Sequence, residues 1–213
     1  MLQCRPQSQF KESKARLPSS VNPIDVVFST RRLIPSGRVE GISHVIFVTP
    51  DGYFSLSTEA ERAHIGHLIS KLNSKLAGKV FITIGPGRWG TINPDLGVPI
   101  NYGDIYNTRA LIEFSGSGIS AAPEPSFGTH FFQDLVEANI YPLAIYLDDD
   151  EVQFNRSFFY ESPNKLSAYL PEANECAETI RLIEVASFRR AHHLELVMDD
   201  EKGQALAYLV PDE

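Results

Sequence analysis

Cysteine is nearly missing from this chain. The only two in 213 residues, Cys4 and Cys176, lie far apart and form no CxxC pair. That argues against a disulfide framework or a paired-cysteine zinc site and makes a reducing cytoplasm the expected compartment. Basic residues are also short, 19 lysines and arginines against 27 acids, for a formal charge of −8. Nonspecific binding to nucleic acid or to a membrane surface needs a cationic face, so neither partner is expected. No apolar run approaches the roughly 18 residues that span a bilayer. The amino terminus lacks the basic-then-apolar order of a secretory signal. Two catalytic signatures are absent as well, the GxxxxGK[ST] phosphate loop and the GxSxG elbow, and although Gly85, Gly87 and Gly90 have GxGxxG spacing, no helix follows them as a dinucleotide site requires.

What is present is ordinary globular composition, 43% hydrophobic and 22% charged, enough for one full core. Residues 1–23 read as an arm or linker, rich in proline and polar side chains, that packs on something else. Such an arm would be exposed or swapped, and a homo-oligomer formed through it is a further expectation. Residues 24–213 read as a single α/β or α+β domain: a mixed sheet with flanking helices and a carboxyl-terminal β-hairpin. Ile42–Thr49 is strand-like. Thr58–Leu76 is the clearest helix, with Ile65, Leu68, Ile69, Leu72 and Leu76 in one stripe and a Ser57 or Thr58 cap. Val80–Ile84, Arg109–Phe114 and Tyr141–Leu147 read as strands, Thr129–Ala138 as a short helix, and Pro171–Ile183 as a further helix. Phe154, Phe158, Phe159 and Tyr160 form an irregular aromatic stretch that packs under a loop. Ala191–Met198 and Ala205–Val210 form the hairpin.

Two motifs carry chemistry. Gly85-Pro86-Gly87-Arg88-Trp89-Gly90 follows a buried β-branched run and opens a long loop to residue 103. Its glycines let backbone N–H groups approach an anion, and Arg88 adds a planar cation suited to phosphate or carboxylate. Trp89 either stacks on a ligand or plugs the core. The bland alternative is a rigid turn whose arginine pairs with Asp95 or Asp104. Gly128-Thr129-His130 opens an amphipathic helix. An imidazole there is a candidate nucleophile or base, with Gln133 and Asp134 to orient it and Arg109 as a reserve cation. Its bland alternative is a hydrogen-bonded core histidine. His64 and His67 share a helix face, but no further metal ligands are evident, so no metal site is expected. His192 and His193 point to opposite sides of a strand.

GPGRWG with the following Asn93-Pro94-Asp95-Leu96-Gly97-Val98-Pro99-Ile100, and Gly128-Thr129-His130-Phe131-Phe132-Gln133-Asp134-Leu135, resemble the carboxyl-terminal region of phosphoenolpyruvate synthase/pyruvate phosphate dikinase-like proteins. Leu2-Gln3-Cys4-Arg5-Pro6 is similar to the strand that closes their ATP-grasp domain. The likeness runs from residue 2 to at least 147 and is less clear beyond about 150. It implies a portion downstream of an ATP-grasp module, with Gln3 and Arg5 near nucleotide phosphates. It also implies ATP and magnesium in the parent protein and no cofactor in this chain. Two departures stand out: the ATP-grasp body is missing, and there is no Thr-x-His-Ala carrier motif. His130 is therefore a candidate phosphoryl carrier by chemical analogy, not by alignment. The resulting expectation is an accessory domain that binds a phosphorylated small molecule or nucleotide and takes part in phosphoryl transfer. The parent would be a phosphotransferase, and the isolated chain not competent alone. The alternative is a noncatalytic domain that docks on the upstream module or another partner.

Overall fold

The computed structural model describes residues 14–31, 34–116, 130–189 and 191–211. Two sheets and a layer of helices make an α+β fold. The first sheet is antiparallel, ordered β1-β9-β8-β2, from Val26–Thr30, Gln204–Pro211, Ala191–Asp199 and Gly37–Ile42. The second is mixed, ordered β6-β5-β4-β3-β7, from Tyr141–Tyr146, Ala110–Ser115, Phe81–Pro86, His44–Val48 and Ile180–Glu184. Strands β3 to β6 run parallel, and β7 pairs antiparallel with β3.

Burial on both faces explains the unbroken apolar runs of the mixed sheet. Val45 and Phe47 point toward the antiparallel sheet and pack with Leu194, Leu196 and Leu209. Ile46 and Val48 point the other way, onto the helices. The principal helix, α2 at Glu59–Lys75 (after the short α1, Pro50–Phe54), lays Ile65, Leu68, Ile69 and Leu72 on that face. Its start is fixed by a reciprocal cap. Thr58 Oγ1 accepts the Glu61 N–H, and Glu61 accepts the Thr58 N–H. Helix α3, His130–Glu137, and α4, Leu166–Tyr169, complete the layer through Leu135 and Leu166. Among the described residues no helix is long and apolar enough to cross a membrane.

The carboxyl-terminal hairpin is β8 and β9, as the pattern predicts. The aromatic stretch is a π-helical turn, Ser157–Glu161, and its Phe158 and Phe159 are fully buried in the core between the sheets. Phe159 stacks on Phe154 with ring centroids 4.3 Å apart. The expected helix over Pro171–Ile183 is a correction. Only a 3-10 turn, Pro171–Cys176, forms there, and Ile180 onward is β7. Pairing with β3 outweighs the helical propensity of the Glu/Ala-rich lead. Of the expected arm, residues 14–23 are described. Leu17 N–H donates to Asp199 (3.2 Å), and Lys14 and Arg16 pair with Glu201 of the chain's own β8–β9 turn. Residues 14–17 thus touch the chain's own hairpin, with Lys14 and Arg16 themselves exposed.

Candidate functional site

The parallel strands β3 to β6 end together, and in such sheets ligands bind beyond the carboxyl ends of the strands. The Gly85–Gly90 turn leaves β4 at that edge. Gly85 and Glu113 are partners across β4 and β5. A side chain on Gly85 would meet the Trp89 ring at 2.6 Å, so glycine there makes room for the indole. Trp89 is only 4% exposed, and its Nε1–H donates to the Ile112 carbonyl at 2.9 Å. It plugs the core and offers no stacking surface.

The turn is rigid, and it does not work as the expected backbone cradle. Gly87 N–H donates to Phe114 O (3.2 Å) and Arg88 N–H to Leu96 O (2.9 Å). Trp89 N–H donates to Glu113 Oε1 at 3.2 Å. The donors that would have met a phosphate are satisfied by the protein, one of them by a carboxylate. Gly87 has φ +73°, and a side chain there would collide with the Leu96 carbonyl. The rest of the loop is fastened too. Tyr53 Oη–H faces the carbonyls of Pro94 (2.9 Å) and Gly97 (2.8 Å). Asp95 is bound to Arg62 of α2, and Asp104 accepts the Asn101 N–H at 2.8 Å. Among the described residues the acid beside Arg88 is Glu113, whose ionised form the guanidinium favours, rather than Asp95 or Asp104.

Glu113 is the residue that sequence reasoning missed. Burial pushes its carboxyl up to about 7, against the lowering pull of the Trp89 N–H and of Arg88. Among the described residues nothing hydrogen-bonds its buried Oε2. A lone acid inside the apolar run Ala110–Ser115 was the available signal. The fold turns it toward the helix layer, since its neighbours Ile112 and Phe114 face the other sheet. A carboxyl poised near neutrality, with one uncommitted oxygen and a half-buried arginine close by, can hold or release a proton beside a bound anion.

Among the described residues, the second motif meets the first at Phe131. A side chain on Gly90 (φ +72°) would meet the Phe131 ring at 2.5 Å, so α3 starts directly on the glycine turn. His130 itself is exposed, which removes the buried core-histidine alternative. Gln133 and Asp134 are exposed as well, and among the described residues neither hydrogen-bonds His130. Arg109 is a correction. It precedes β5 and hydrogen-bonds Phe81 O through its N–H (2.9 Å), at the amino ends of the parallel strands. The length of β4, about 16 Å at 3.3 Å per residue, separates it from the turn. Gln3, Arg5 and Thr129 lie outside the described residues. On the helix layer, Glu175 and Cys176 come up to His64, a grouping invisible in the linear order.

No protein-family model, no curated protein and no solved structure matches the chain.

Proposed function

We propose that the chain is an accessory domain of a phosphoenolpyruvate synthase/pyruvate phosphate dikinase-like protein. In this reading it takes a phosphorylated, anionic small molecule at the carboxyl ends of its parallel strands. The observation that carries the reading is Glu113, a carboxyl raised to about 7 with an uncommitted oxygen next to Arg88. Arg88 supplies the counter-charge. Glu113 supplies a proton, because an anion arriving beside an ionised carboxylate is repelled and one arriving beside a neutral carboxyl is not. Exposed His130, one residue from the Phe131–Gly90 contact, is the group open to phosphorylation. ATP and magnesium belong to the upstream ATP-grasp module, with which Gln3 and Arg5 would act.

The test is calorimetric titration with phosphoenolpyruvate and, separately, inorganic phosphate, at pH 6 and pH 8. Binding is expected to be tighter at pH 6, with proton uptake. Arg88→Gln should weaken it at least tenfold, and Glu113→Gln should abolish the pH difference. Absence of saturable binding at both pH values would sink the proposal. A second reading, noncatalytic docking on the ATP-grasp module, is favoured by one observation: the turn's N–H donors are already committed to the protein. It predicts association with that module in trans, unaffected by Arg88→Gln.

A further inference from the structure

On the helix layer, two packed elements bring three different ligand types together. His64 lies on α2 beside the buried Ile65, and Glu175 and Cys176 end the 3-10 turn Pro171–Cys176. A ring nitrogen, a carboxylate oxygen and the thiol sulfur all lie within 4.8 Å of one another. We propose that His64, Glu175 and Cys176 form a divalent transition-metal site, with zinc as the ion it takes.

The chemistry of the set selects the metal. A thiolate and an imidazole prefer zinc-like ions, while calcium and magnesium want oxygen ligands throughout. Three protein ligands leave a fourth tetrahedral position for water or an outside group. Bond lengths of about 2.0–2.3 Å at tetrahedral angles bring donor atoms to about 3.4 Å of one another. The present separations, none above 4.8 Å, exceed that by up to about 1.4 Å, a gap that side-chain rotation can close. His64 and Glu175 are exposed and can turn.

The scaffold beneath them is held independently of any metal. Ala173 is fully buried against the α2 face. Lys71 Nζ on α2 pairs with Glu172 at 3.2 Å. Ser167 Oγ–H donates to Asn174 Oδ1 at 2.7 Å. The ligands therefore sit on elements that are already docked. The thiolate is the form of Cys176 that ligates, so a bound dication displaces the thiol proton. His67, one turn along with its ring centroid 6.3 Å from that of His64, is not in the ligand set.

Cobalt(II), a spectroscopic stand-in for zinc, is titrated into the full chain at pH 8. The expected result is a thiolate-to-cobalt charge-transfer band with tetrahedral visible bands, bleached by one equivalent of zinc. Cys176→Ser should abolish the charge-transfer band, and His64→Ala and Glu175→Gln should each weaken binding at least tenfold. Cys4→Ser and His67→Ala should leave the spectrum unchanged. Zinc should raise the melting temperature of the wild type and of Cys4→Ser but not of Cys176→Ser. No charge-transfer band in the wild type, a band that survives Cys176→Ser, or one that is lost with Cys4→Ser would each overturn the assignment.

Discussion

At the scale of single residues, Glu113 decides the most. Its carboxyl titrates near 4.5 when unfolded and about 7 when folded. Between those values the folded state holds more protons than the unfolded one, so stability falls as pH rises through that window and levels off above it. The span corresponds to about 3 kcal/mol. Glu113→Gln keeps the acceptor for the Trp89 N–H and removes the charge. It is expected to flatten the pH dependence and to be more stable than wild type at pH 8, as read by urea denaturation at pH 5 and pH 8. Equal slopes for the two proteins would contradict the burial argument. Gly87→Ala forces a side chain onto the Leu96 carbonyl at positive φ. A loss of about 2 kcal/mol or more is expected, checked by the denaturation midpoint.

At the scale of elements, local pattern and tertiary pairing divide the credit. Helix α2 was legible because its stripe and its Thr58–Glu61 cap are both local, and each agrees with the fold. Thr58→Ala should cost about 1 kcal/mol, measurable as a lower melting temperature with an unchanged circular dichroism spectrum. The hairpin of β8 and β9 was legible from two apolar runs around a polar turn. Strand β2 was not, because Gly37-Arg38-Val39-Glu40-Gly41-Ile42 is an edge strand with half its side chains in solvent. Strand β7 was hidden by the Glu/Ala-rich segment before it, and only its neighbour β3 makes it a strand. The two chemical motifs were found as places and misread in detail. Spacing located the glycine turn at the strand ends. It could not show that the donors of that turn were already spoken for, nor that the acid beside Arg88 stood 25 residues on, because both facts depend on which strands lie side by side.

At the scale of the molecule, the amino-terminal segment and the carboxyl-terminal hairpin hold each other. Asp199 is fully buried. Burial works against its charge, yet the N–H groups of Lys202 and Leu17 and the Arg16 guanidinium still hold its carboxyl below the usual range. Glu201 is brought down to about 2 by its hydrogen bonds with Arg16 and Lys14. A depressed carboxylate gives its support at pH values above its unfolded pKa and loses it as pH falls through the folded one. The latch should therefore persist at pH 4 and open toward pH 2. Trypsin is expected to cut after Lys14 and Arg16 several times faster in Glu201→Gln than in wild type, with little change in melting temperature, since the pairs are exposed and screened. Identical cleavage rates would count against the latch.

The fastenings of the 85–97 loop bear on its motion. Its amides donate to the sheet and to the loop's far limb, and Tyr53 and Arg62 clamp that limb from the helix side. A stretch largely without regular secondary structure should then exchange its Gly87, Arg88 and Leu96 amide hydrogens with deuterium as slowly as the central strands, opening only when the sheet itself comes apart.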